Sequence, residues 1–182
     1  QKAIQSETQS LVTSACDYSF WDDTYEFAVK KSSGYIGTNF IYSTFENLNI
    51  DFFVIIDNKG NDIFARAVVD SLAELRNLEQ HESNFFLENS VLWNYQDSVL
   101  FRSGIELLNG KPLLFASAAI LQNDKKGTAR GGLIFAEYFD EDKIEKISNS
   151  TNLDFSISTD TAKFNNEKGY VVRNISKDTL VA

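Results

Sequence analysis

Asp17-Tyr18-Ser19-Phe20-Trp21-Asp22-Asp23-Thr24-Tyr25-Glu26-Phe27 places aromatic rings and two adjacent carboxylates within a long run of helical pattern. Trp21 and Tyr25 stand one helical turn apart, so both side chains can face the same packing surface or pocket. Apolar residues recur through Leu11, Ala15, Tyr18, Phe20, Trp21, Tyr25, Ala28 and Val29 with no Pro or Gly between them. This spacing predicts one helix from Ile4 to Lys31, ending near Ser32, Ser33 and Gly34. The stretch Tyr35 to Phe45 then reads as a mixed aromatic connection with room for a short helix.

Beyond that helix the pattern changes from helical to strand-like. Phe52 to Ile56 is a continuous apolar run followed by Asp57, Asn58, Lys59 and Gly60, a turn composition, and Ile63 to Val69 supplies a return strand. Ser71 to Glu88 reads as more helical. Val99 to Glu106, Pro112 to Leu121 and Arg130 to Phe139 read as three further strands, separated by the turns Asn109-Gly110-Lys111 and Asn123 to Gly127. Asp140 caps a helix to Ser150 with Ile144 and Ile147 inward and Lys143 and Lys146 at the surface, and Leu153 to Ser158 and Gly169 to Ile175 are terminal strand candidates. The expectation is an α+β domain: a five-stranded antiparallel sheet with the long N-terminal helix packed on one face. One domain over residues 1–182 is the reading that the length favours.

Composition narrows the function classes. The formal charge is −9, from 26 acidic and 17 basic residues, which opposes attraction to a phosphate backbone and argues against nucleic acid as a partner. The 15 Phe, 7 Tyr and 2 Trp supply large side chains for a folded core. Cys16 is the sole cysteine, so no internal disulfide forms, and its apolar neighbours give it a packing role. No apolar run is long enough to cross a membrane. Gln1 opens the sequence without a Met, so the sequence reads as a domain excised from a longer chain.

No residue set announces an enzyme, a metal or a cofactor. His81 has no second imidazole or cysteine near it in sequence, and Gly127 to Gly132 lacks the phosphate-loop pattern; close backbone approach at a turn explains those glycines. Asp22 and Asp23 point about 100° apart on a helix and need not converge as an acid/base pair. The candidate ligand-binding residues are Trp21 and Tyr25, a flat surface with a hydroxyl, together with Trp93, Tyr95 and Arg102, where the guanidinium suits a ligand carboxylate. The same residues serve as packing anchors in the competing reading. Asn149-Ser150-Thr151 and Asn174-Ile175-Ser176 are minimal glycosylation patterns.

In this order of elements the chain resembles the fourth class of CHASE domains. The residues that carry the likeness are Asp17, Tyr18, Trp21, Asp22, Asp23, Thr24, Tyr25 and Phe27, then Phe52 to Ile56 with Asp57, Asn58 and Gly60. Later come Ser103, Gly104, Gly110-Lys111-Pro112, Ile120-Leu121, Gly127 and the segment Ala129 to Phe135. The likeness spans roughly residues 11–157; Ala119 replaces a frequent proline, and Glu137-Tyr138 replaces a usual glycine and arginine. The resemblance implies a PAS-like or Cache-like sensor outside the membrane, extracellular or periplasmic, joined by flanking helices to a kinase, cyclase or related output. It further implies a small-molecule ligand, a homodimer in the full-length receptor and motion of the first helix or the C-terminal exit. The alternative is a dimerisation module with no conventional pocket.

Overall fold

The computed structural model describes residues 2–96, 99–151, 171–173 and 179–181. Helices α1 (Lys2–Ser19), α2 (Asp22–Lys30), α3 (Ser33–Asn39) and α4 (Tyr42–Leu48) precede strands β1 (Phe52–Asp57), β2 (Asp62–Val69) and β3 (Glu74–Arg76). Helix α5 (Gln80–Glu88) leads into β4 (Phe101–Leu108), β5 (Lys111–Ala119) and β6 (Gly131–Tyr138), then α6 (Glu141–Thr151). Strands β7 (Val171–Arg173) and β8 (Thr179–Val181) form a separate antiparallel pair. The expected strand Leu153 to Ser158 lies outside the described residues, as do the ends of the one expected over Gly169 to Ile175.

The main sheet runs in the order β3-β2-β1-β6-β5-β4 with every neighbouring pair antiparallel. It therefore has six strands, which corrects the expected five. The additional strand is β3, from a stretch read as helical. Arg76 explains it: its guanidinium donates to both carboxylate oxygens of Glu82 at 2.6 Å each, holding the extended segment against α5. Helix α5 starts only afterwards, where Glu82 also accepts from the backbone N–H of Glu79 at 2.8 Å.

The expected helix from Ile4 to Lys31 is also two helices, broken at Phe20 and Trp21. Trp21 is extended (φ −75°, ψ 137°), and Asp22 and Asp23 sit in the first turn of α2, where carboxylates favour a helix start. The carbonyls freed at the break find partners: Tyr18 O accepts from the Thr24 hydroxyl at 2.7 Å and Ser19 O from Leu121 N at 3.3 Å.

Strand β1 lies between β2 and β6 and is buried on both sides, which is why Phe52 to Ile56 reads as an unbroken apolar run. Phe53 and Ile55 point toward the layer with Leu11, Val12 and Ala15 of α1, Phe27 of α2 and Phe45 of α4. Phe52, Val54 and Ile56 point the opposite way, into a second layer with Phe86, Leu92, Leu113 and Phe115. Helix α1 crosses β4, β5 and β6. Phe53 is wholly buried and meets the rings of Tyr18, Phe40, Phe45, Phe64 and Phe135. Truncating such a ring to Ala costs about 3–5 kcal/mol.

Two glycines let β6 approach its neighbours. A Cβ on Gly131 (φ +138°) would fall 2.0 Å from Ile56 O, and one on Gly132 would fall 2.4 Å from Leu92 O. Close backbone approach is thus what Gly131 and Gly132 provide, within β6 and not at a turn, whereas Gly127 (φ +87°) has open space around it.

Candidate functional site

The five candidate residues divide between the two faces of the sheet. Trp21 and Tyr25 lie on the α1 side. The Trp21 ring stacks on Tyr18, with centroids 4.4 Å apart, and Tyr18 in turn meets Phe53 and Phe135 edge-on. Tyr25 accepts a hydrogen bond from Arg130 Nε at 2.7 Å, and the Arg130 guanidinium lies 5.1 Å from the centre of its ring.

The α1–α2 corner is held by the loop between β5 and β6. Asp22 accepts from Asn123 N at 3.0 Å and Asn123 Nδ2 at 2.8 Å, while Lys125 Nζ lies 4.6 Å from the centre of the Phe20 ring. The acidic pair therefore separates in role, with Asp22 fixing a loop 101 positions away. Cys16 is half-buried beside this corner, and burial pushes its thiol up, so it behaves as a small hydrophobe.

Trp93, Tyr95 and Arg102 are brought onto the opposite face. Arg102 stands directly across from Ser117 in the β4–β5 register. The Tyr95 hydroxyl hydrogen-bonds to the Ser117 hydroxyl, and the Arg102 guanidinium lies 4.5 Å from the centre of the Tyr95 ring. Burial pushes the Tyr95 hydroxyl up, further from ionisation, while its bonds to Ser117 and Arg102 act in the opposite direction. Trp93 donates from Nε1 to Leu87 O at 3.2 Å and packs its ring against Gly60 in the β1–β2 turn. This face carries one aromatic, cationic and hydroxyl-bearing group between a sheet and an irregular segment. Between β1, β2 and α5, by contrast, the remaining gap lined by Val54, Ile56, Leu78 and Phe86 is about 10 Å³, room for about one water.

A third group carries no motif in the sequence. A cleft of about 280 Å³ opens between α4, the start of β1, the end of β6 and α6, lined by Tyr42, Glu46, Asp51, Glu137, Lys143 and Lys146 among others. Lys143 Nζ reaches Glu137 Oε2 at 2.8 Å and Glu7 Oε2 at 2.9 Å, and Asn49 Nδ2 donates to the same Glu137 oxygen at 2.9 Å. Lys143 was expected at the surface, yet its side chain is 11% exposed. Asp140 does cap α6 as expected, accepting from Lys143 N at 2.9 Å, and this sets Lys143 on the turn that faces the sheet. The signal in the sequence was an acidic residue, Glu137, at the end of an otherwise apolar strand. Among the described residues no group of His, Cys, Asp and Glu is arranged to hold a metal.

Comparison with known proteins agrees with this architecture. The chain is 24% identical over 187 residues to the methanogenesis regulatory histidine kinase FilI of Methanothrix harundinacea; the match covers 98% of this chain and about a fifth (21%) of FilI. The periplasmic domain of Vibrio cholerae LuxQ superposes with a TM-score of 0.59 at 15% identity, over 88% of this chain and 72% of that one. The sensor domain of E. coli DcuS matches with a TM-score of 0.50 at 8% identity, over 84% of this chain and all of that one. The two superpositions establish a shared fold of the PAS and Cache type. The CHASE4 domain family matches residues 3–158, so the chain belongs to that family of extracytoplasmic sensory domains of membrane-bound receptors.

Proposed function

We propose that this extracytoplasmic sensor domain recognises a small molecule bearing a carboxylate, through Tyr95 and Arg102 with Trp93 beside them, and transmits binding as a shift of its helices. The observation that carries the reading is the Arg102 guanidinium over the Tyr95 ring, with the Ser117 hydroxyl bonded beneath. A planar cation and two hydroxyls on one sheet face can orient a carboxylate with directional bonds. Trp21 and Tyr25, on the other face, would then hold the α1–α2 corner and convey the shift rather than touch the ligand. Transmission requires the ligand to favour one of two arrangements over the other. The output would be a histidine kinase outside this chain, by likeness to FilI.

A screen of small carboxylates by thermal shift, followed by titration calorimetry, tests this. One compound should raise the melting temperature, and Arg102→Ala should weaken its binding about tenfold or more, as loss of a charge-assisted bond does. Tight binding that Arg102→Ala leaves unchanged would remove Arg102 from the site.

A second reading is supported by the tight packing between β1, β2 and α5: the domain serves as a structural dimerisation module without a conventional pocket. Native mass measurement of the full-length receptor and of this domain separates the two readings. A stable dimer that no compound in the screen stabilises would favour the second.

A further inference from the structure

The buried ion cluster at the foot of the sheet joins the first helix to the helix that follows the last strand of the sheet. Glu7 lies on α1, Glu137 on β6 and Lys143 on α6, and one ammonium nitrogen holds both carboxylates at 2.9 and 2.8 Å. Glu137 is 5% exposed, so the cluster sits largely out of water at one of its two acidic ends. We propose that Glu7, Lys143 and Glu137 form a proton-operated latch between α1, α6 and the sheet, closed when Glu137 is ionised and open when it is neutral.

The geometry gives the two states different connections. With Glu137 ionised, Lys143 ties α6 to both β6 and α1. With Glu137 neutral, Lys143 keeps the single charged partner Glu7, and the charged tie from α6 to the sheet is gone. The carboxyl itself stays buried in this local opening, and without Lys143 to lower it the neutral form is favoured further, so protonation drives the open arrangement. The groups facing Glu137 come from every side. Asp51 precedes β1, Asn49 follows α4, Glu7 is on α1, and Asp140 and Lys143 are at the start of α6; Tyr42, Glu46, Asp142 and Lys146 line the adjoining cleft. Carboxylates outnumber ammonium groups there, but Lys143, in direct contact, acts on Glu137 more strongly than Glu7 or Asp51 does.

Burial is the main cause that lifts the Glu137 carboxyl from 4.5 to about 7; Lys143 opposes it, while Glu7 and Asp51 add to it. Burial also works against the charge on Lys143, but its bonds to Glu137 and Glu7 outweigh that, and its value moves up. Lys143 keeps its proton because it has two carboxylates. Glu137 is the deeper acid, beside two others, and so is the member that changes state near neutrality. The latch adds an input independent of any small molecule and stands or falls apart from the carboxylate site proposed above.

Amide hydrogen exchange in the full-length protein, corrected for the intrinsic pH effect, tests the latch. Amides of α6 and of the α1 turn around Glu7 should exchange about tenfold faster at pH 6 than at pH 8, as one unit of linkage implies. Glu137→Gln should show the faster rate at both pH values. Glu7→Gln should keep the pH step in α6 and lose it in α1. Equal protection at both pH values, or a step that survives in Glu137→Gln, would overturn the proposal. If Glu137→Gln does not fold, the carboxyl carbon of Glu137 in the unsubstituted protein decides by NMR titration: a midpoint near 7 supports the latch, and one below about 5 refutes it.

Discussion

The Tyr25 hydroxyl and Arg130 Nε, 105 positions apart, meet at 2.7 Å and so join α2 to the loop before β6. Together with Asp22 and Asn123, this contact makes the acidic, aromatic start of the domain a clamp on the β5–β6 loop. A double-mutant cycle of Tyr25→Phe and Arg130→Ala, read by urea unfolding, should show a coupling of about 0.5–1 kcal/mol for an exposed bond of this kind. Additive effects would mean the contact contributes nothing to the corner.

Gly60 has φ +83°, and a Cβ there would meet Trp93 Cη2 at 3.0 Å. Gly60→Ala should therefore destabilise the domain by about 1–3 kcal/mol, through the backbone conformation and the displaced ring. Trp93 fluorescence would move with the unfolding midpoint. A neutral substitution would show that the β1–β2 turn does not depend on the Trp93 contact.

Glu82 is 2% exposed and forked by Arg76, so Glu82→Ala leaves a cation without its partner at the β3–α5 junction and should cost about 2 kcal/mol. Burial opposes ionisation of Glu82, but the Arg76 bonds and the Glu79 N–H hold its carboxyl below 4.5. Its contribution is then complete above about 4.5 and lost as the pH falls through the lower folded value. The unsubstituted protein should lose stability on acidification below pH 4.5, and Glu82→Ala should lose less. Parallel denaturation curves for the two proteins between pH 3 and 5 would contradict this.

Glu137 carries the opposite sign. Its folded value, about 7, lies above the ordinary 4.5 of the unfolded chain, so complete unfolding, unlike the local opening of α6, is opposed most when the acid is neutral. That contribution is whole below about 4.5 and disappears as the pH climbs through 7, a difference of about 3 kcal/mol. Glu137→Gln should flatten this limb of the stability profile in thermal melts from pH 4.5 to 8. An unchanged slope would assign the pH dependence to other groups.

Much of the architecture could be read from the chain because its local patterns agree with its packing. The Phe52 to Ile56 run, the turns at Gly60 and Gly110 and the Ala129 to Phe135 segment each specify their element without distant help. Three features depend on partners that no local pattern names. β3 exists because Arg76 finds Glu82, the break in the first helix because Thr24 and Leu121 take its freed carbonyls, and the burial of Lys143 because Glu137 and Glu7 lie beneath it. The candidate ligand-binding residues rest on residue type: the aromatics and Arg102 follow from chemistry alone. Their division between two sheet faces follows from the register of β4 on β5 and from the placement of the 89–96 segment, neither of which spacing fixes.

The pairing of β1 with β6 has a kinetic meaning. Phe52 lies opposite Ala136 and Asp57 opposite Gly131, so the seam unites a first hairpin with a later three-strand meander. Each of those pieces can zip up from nearby residues, but the seam must wait for a long loop to close, an entropic search that makes it the slow event in folding. A polypeptide cleaved between α5 and β4 would present two complementary pieces with this seam as their meeting edge, so a severed pair should reassemble at a rate set by concentration.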